Sequence, residues 1–261
     1  MIDITKAKKS FKDYVKDYDI ENPKIRLKIA HIERTSKVAR KMAEKLRLPK
    51  EDIELAELIG LLHDIGRFEQ VKKYNTFVDH LSENHAKIGV DVLFKSGLIR
   101  KFIEDDKYDK IIELAIINHN KDKNMLPKDL SPKEDLHVKL IRDSDKVDII
   151  YLLTFDEQKT LWDSDNLNKE TFSDEIYNEF IKDHNIIYKN RKTNADKLIS
   201  HFAYAFDFNF DYSLKNIYEN KYYDKLYNRF NFEDINTQNR FNEIYKITIE
   251  YMKERVKNVS N

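Results

Sequence analysis

The chain has 261 residues, 36% of them charged and 12% aromatic, and its formal net charge is zero. That length can bury a sizeable core as one helical domain or two small ones, and the balanced charge offers no global basic field for polymeric nucleic acid or an anionic membrane. There is no cysteine, which excludes disulfides, thiolate metal sites and cysteine nucleophiles.

The opening Met1-Ile2-Asp3-Ile4-Thr5-Lys6 lacks the apolar core of a signal peptide. No apolar run approaches the length of a membrane span, so a cytoplasmic protein is expected. Only 4 Gly and 4 Pro punctuate the sequence, and helical periodicity dominates between them. After an N-terminal helix, residues 25–46 place Ile32, Ala39, Met42, Ala43 and Leu46 at three- and four-residue steps on one face. Leu48-Pro49-Lys50 breaks that helix. Glu51-Asp52 then load the first turn of a helix over 51–64, apolar around most of its circumference and therefore expected to be the central one. Gly66 reads as its C-terminal stop. Residues 67–80 read as an irregular loop, and Ser82 as the cap of a helix over 83–95 that ends near Gly97. A further helix is expected over 109–119, a polar loop over 121–132 and another helix over 134–154. Beyond residue 156 the pattern stays helical and rich in aromatics, among them Phe172, Tyr177, Phe180, Phe202, Tyr204, Phe206, Phe208 and Phe210. These suit a core better than base stacking. The fold class is all-α. Residues 1–155 form the expected core, with 156–261 a helical extension packed on it, shaping the pocket or a homo-oligomer interface.

Eight histidines occur, and four of them join two aspartates in a recognisable order: His31, His63-Asp64, His85, His119 and Asp145. Each lies on or at the end of an expected helix. Neutral imidazole and carboxylate together suit Mn, Fe, Zn or Mg. A single histidine on an apolar helix is more often a satisfied core residue than a ligand, and a lone His-Asp pair is weak in a chain this rich in aspartate. The ordered set carries more weight. His63-Asp64 ends the most apolar helix, where an uncompensated polar group costs about 1–3 kcal/mol. Buried imidazoles on several helices need partners, which one another and a metal supply. A carboxylate has two oxygens, so Asp64 is able to bridge two ions, with His31 and His63 on one side and His85 and His119 on the other.

His31, His63-Asp64-Ile65-Gly66 and Asp145-Lys146-Val147-Asp148 resemble the signature of the HD-domain metal-dependent phosphohydrolase superfamily, over roughly residues 20–155. Asn84-His85-Ala86-Lys87-Ile88-Gly89 and Asn118-His119-Asn120 resemble the six-ligand subset that holds two metals. The resemblance implies an HD-domain helical bundle. It assigns His31, His63, Asp64 and Asp145 to a first metal and Asp64, His85 and His119 to a second, with Mn, Fe, Mg, Co and Ni not distinguished. Asp145 fits the family position better than Asp143 because Lys146 and Val147-Asp148 follow it directly. Arg67 stands where the cyclic-dinucleotide branch has a phosphate-touching lysine, and is expected to neutralise charge on a phosphate. A plain surface cation near a helix end is the alternative for Arg67. The chain lacks the Gly-Tyr-Pro motif of that branch, which argues against cyclic di-GMP. Lys121, Lys146 and His80 are weaker substrate contacts.

The implied function is hydrolysis of a phosphate ester or anhydride of a small phosphorylated substrate such as a nucleotide. Asp64 and Arg67 are the catalytic candidates, and a hydroxide bridging the two ions is the nucleophile. Two other readings stand beside it. The same six ligands resemble di-iron oxygenases on the HD fold, and the other reading is a nucleotide-binding sensor without catalysis whose metal site is vestigial, against which the presence of all six candidate ligands argues. His137, His184 and His201 belong to no motif. No Gly-rich phosphate loop, Gly-x-Ser-x-Gly elbow or dinucleotide fingerprint competes.

Overall fold

The computed structural model describes residues 2–162, 164 and 166–259, and among these the secondary structure is helical, with no strand. The fold is all-α. The chain divides into two units, Met1–Asp148 and Ile149–Asn261.

The first unit begins with α1 (Ile4–Val15) and α2 (Pro23–Lys45), the latter started by Pro23 at its first position and by Asn22, whose side chain accepts from the Lys24 amide. Next comes α3 (Lys50–Leu62), with Glu51 and Asp52 in its first turn. Every residue of α3 from Glu54 to Leu62 is buried, as expected for the central helix. Two of those are acids. Glu57 is neutralised by Lys8 from α1 and Arg40 from α2, which is how a buried carboxylate is tolerated there.

The expected stop at Gly66 is not where the chain goes. His63, Asp64 and Ile65 make a turn, and Gly66 opens a new helix, α4 (Gly66–Tyr74), in the stretch read as a loop. The glycine serves close approach instead of a left-handed cap. A Cβ at Gly66 would lie 2.2 Å from the His85 carbonyl oxygen and 2.4 Å from the Gly89 nitrogen. That contact brings α4 against α5 (His85–Val90), which continues as a π-turn over Asp91–Lys95. The cap of α5 is Asn84, whose side chain accepts from the amides of Ala86 and Lys87. Ser82, the expected cap, instead accepts from Gln70 and donates to the Val78 carbonyl. A short 3-10 turn, Asp79–Leu81, lies in the connection. The remaining long elements are α6 (Asp109–Asn118) and α7 (Pro132–Phe155), and the division between units falls within α7. The core of this unit joins Phe11 and Val15 of α1, Ile25 and Ile32 of α2, Leu55 to Leu62 of α3, Phe68 of α4 and Ile112 to Ile116 of α6.

The second unit contains α8 (Gln158–Trp162), α9 (Asp174–Asp183), α10 (Asn194–Phe202), α11 (Asp211–Glu219), α12 (Tyr222–Tyr227) and α13 (Ile235–Val259). Its aromatics pack on one another: Phe241 meets Phe172, Phe202 and Phe232 edge-on. Of the aromatics singled out in the sequence, Phe172, Phe180, Phe202 and Phe208 are buried, and Tyr177, Tyr204, Phe206 and Phe210 are half-buried.

Candidate metal centre

Five elements of the first unit each contribute a donor. His31 projects from α2, His63 and Asp64 from the turn ending α3, His85 from the first residue of α5, His119 from the end of α6, and Asp145 from α7. All four histidines and Asp64 are buried. Their donor atoms fall into overlapping groups: His31, His63 and Asp64; His63, His119 and Asp145; and Asp64, His85 and His119.

The two oxygens of Asp64 face different histidines. Oδ2 lies 3.6 Å from His31 Nε2 and 3.8 Å from His63 Nε2. Oδ1 lies 3.3 Å from His85 Nε2 and 3.7 Å from His119 Nε2. Asp145 Oδ1 joins the first pair, at 3.1 Å from His31 Nε2 and 3.5 Å from His63 Nε2. Ligands at metal–nitrogen distances of about 2.0–2.1 Å stand roughly 2.8–3.4 Å apart in octahedral or tetrahedral arrangements, and these separations, from 3.1 to 3.8 Å, lie at the upper end of that range or slightly beyond it.

Every imidazole is held at its other nitrogen. His63 Nδ1 donates to the Gly60 carbonyl at 2.8 Å and His119 Nδ1 to the Ile116 carbonyl at 2.7 Å. Two carboxylates hold the remaining pair. His31 Nδ1 donates to Asp148 at 2.7 Å, and His85 Nδ1 to Asp79 at 2.8 Å. A carbonyl accepts only, so these partners fix the proton on Nδ1 and turn the Nε2 lone pair inward. Yet His85 Nε2 and His119 Nε2 stand 3.1 Å apart, and His31 Nε2 and His63 Nε2 3.3 Å apart. Lone pairs facing at such distances repel unless a cation lies among them. Asp64 Oδ1 is also buried with no hydrogen-bond partner among the described residues. The donor set fits divalent metal.

The electrostatics agree. Burial lowers the His63 pKa, against the pull of Asp64 and Asp145. Burial and the repulsion of Arg67 push His85 down to about 3, although Asp79 opposes them. Both rings are therefore neutral at ordinary pH, the form in which an imidazole can bind metal. For His31, burial and Lys28 push downward, but hydrogen bonds to Asp145 and Asp148 outweigh them and raise it. Burial disfavours the charged forms of Asp64 and Asp145, yet Lys28 and His63 hold the first, and His31 and His63 the second, well below the usual carboxylate range.

The remaining candidates are placed unevenly. Arg67 lies beside the centre, its Nε 3.6 Å from Asp64 Oδ1, while Nη1 donates to Gln70, the Phe77 carbonyl and Asp79. Lys146 is buried within α7 and Lys121 is half-buried just beyond His119. His80 is exposed in the turn beside Asp79 and joins none of the donor groups among the described residues. His137 is buried on α7, with Nε2 3.1 Å from Asp52 Oδ1. Sequence reasoning missed Asp79, the acceptor role of Asp148, and Lys28, whose Nζ sits 2.7 Å from Asp64 Oδ2. The three-residue step from Lys28 to His31 on one helix was the available signal for the last.

Residues 29–150 match the family model of the HD domain, a span that includes all six candidate ligands. No curated protein and no solved structure matches the chain.

Proposed function

We propose that this chain, which belongs to the HD-domain superfamily of metal-dependent phosphohydrolases, hydrolyses a phosphate ester or anhydride of a small substrate, a nucleotide by preference. The observation that carries this reading is the convergence of four Nε2 atoms on the two oxygens of Asp64, with each Nδ1 already committed. His31, His63, Asp64 and Asp145 would hold one ion, and Asp64, His85 and His119 a second. Bound there, divalent ions supply Lewis acidity that activates water and offsets charge on the phosphoryl group.

The protein's own groups do the rest. Asp64 divides its charge between the two halves of the centre. Asp148 and Asp79 keep His31 and His85 in the tautomer that offers Nε2. Arg67 supplies positive charge beside Asp64 through the edge not committed to Asp79 and Gln70, which favours the transition state of phosphoryl transfer. Lys121 and Lys146 are secondary contacts in this scheme, and His80 a more distant one.

The test combines elemental analysis of the purified protein with a phosphatase screen over a nucleotide panel in Mn, Fe, Mg, Co and Ni. Replacing both His63 and Asp64 by alanine should remove bound metal and lower hydrolysis by more than about a hundredfold. Unchanged metal content and unchanged hydrolysis in that variant would sink the reading. Oxygen uptake by iron-loaded protein without phosphate release would favour oxygenase chemistry instead.

A further inference from the structure

Arg34, Arg67 and Lys28 border the centre and differ in what holds them. Arg34 is bound to Asp148 by its Nε at 2.7 Å and a second nitrogen at 3.1 Å. Arg67 is tied to Asp79, Gln70 and the Phe77 carbonyl. Both serve residues that orient ligands or the adjoining turn. Lys28 is different: its ammonium hydrogen-bonds a candidate ligand itself, Asp64 Oδ2, at 2.7 Å, whereas Arg67 Nε stands 3.6 Å from Asp64 Oδ1. Its side chain is 18% exposed where that of Asp64 is 4% exposed, so it reaches the centre from the solvent side. The Phe77 ring lies 6.0 Å from the ammonium, which adds little attraction at that range.

We propose that Lys28 is an anion-binding cation of the centre beside Arg67, paired with Asp64 when the ligands hold no metal and with a phosphoryl oxygen when they do. The inference rests on the phosphohydrolase reading above. Asp64 Oδ2 belongs to the His31–His63–Asp64 donor group. A divalent ion taken up by that group claims the charge of this oxygen, so the attraction that holds Lys28 is weakened and its ammonium is left near added positive charge. An anion restores the balance. Lysine suits the role because its ammonium is a compact point charge on a flexible stem, able to exchange one oxygen for another without the planar fit that arginine requires. No covalent bond is made or broken.

The experiment compares wild type with Lys28→Met and Lys28→Arg. Mn²⁺ affinity is measured first, by calorimetry without phosphate. Inorganic phosphate is then titrated into the Mn²⁺-loaded proteins. Lys28→Met should bind Mn²⁺ at least as tightly as wild type, because a competing cation is gone. Its phosphate affinity should fall about ten- to a hundredfold, the range for one charge-assisted hydrogen bond. Lys28→Arg should recover most of that loss. Phosphate affinity unchanged in metal-loaded Lys28→Met would overturn the assignment and leave the phosphohydrolase reading standing. Loss of Mn²⁺ binding in Lys28→Met would also overturn it, by showing a role in building the ligand set. Wild type that binds no metal at all would overturn both readings together.

Discussion

At the scale of single residues, the centre depends on groups that touch no candidate metal position. Asp79 accepts from His85 Nδ1, from Arg67 and from Gln70, and these donors hold its carboxyl well below the usual range despite partial burial. Replacing it by alanine removes an acceptor from all three, although Arg67 keeps the Phe77 carbonyl and Gln70 keeps Ser82 and the Glu83 carbonyl. The His85 ring loses the partner that fixes its tautomer, and the affinity of the Asp64–His85–His119 group for metal should drop about ten- to a hundredfold. A metal titration that resolves two classes of site should show the loss in one class, and Asp148→Ala, acting through His31, in the other. Identical isotherms for wild type and Asp79→Ala would mean that packing alone positions His85. The sequence made the histidines legible because they are few, eight among 261 residues, and spaced in a known order. It did not make Asp79 or Lys28 legible. Each is one of many charged residues, 47 acidic and 47 basic, and the contact of Lys28 with Asp64 spans two elements.

At the scale of elements, the periodicity of apolar residues located α2, α3, α6 and α7, because a buried stripe leaves a regular trace. It failed between α3 and α5. A glycine after a helix is compatible with a stop or with close backbone approach, and only the packing of α4 on α5 shows that Gly66 serves the second. The two facing glycines are unequal in what they tolerate. A Cβ on Gly66 would lie within 3 Å of backbone atoms of both His85 and Gly89, whereas a Cβ on Gly89 would meet nothing closer than the Gly66 nitrogen at 3.4 Å. Gly66→Ala should therefore destabilise the protein by about 3 kcal/mol or more and displace His85, since backbone cannot step aside as a side chain does. Gly89→Ala should cost no more than about 1 kcal/mol, being ordinary contact in a helix that gains propensity. Denaturant melts of the two variants decide this, and equal destabilisation would show that α4 and α5 adjust freely.

At the scale of the whole molecule, the all-α class was legible, but the described residues of the second unit offer helices and interlocked aromatics in place of a motif that a sequence pattern exposes. The first unit, in contrast, concentrates buried titratable groups, and this fixes how stability without metal should depend on pH. Burial lowers the pKa of His63, His85 and His137 in the folded protein, His85 to about 3. Unfolded histidine titrates near about 6.5. Below that pH the unfolded chain takes up protons that these three folded rings refuse, so stability is lost as pH falls. His31, raised by Asp145 and Asp148, works in the opposite direction, but it is one ring against three. Asp64, Asp79 and Asp145 are lowered in the folded state. Their contribution is complete above about pH 4, the unfolded carboxylate value, and disappears below it. The melting temperature of metal-free protein should thus decline from pH 7 to 5 and drop more steeply below 4. Added Mn²⁺ should raise it most near pH 7 and progressively less on acidification, because protons compete for the ligand atoms and binding stabilises only the folded form. A melting temperature that instead rises between pH 7 and 5 would show that His31 outweighs the other three rings, and that the centre is held together by its charged pair with Asp145 and Asp148 more than by neutral imidazoles.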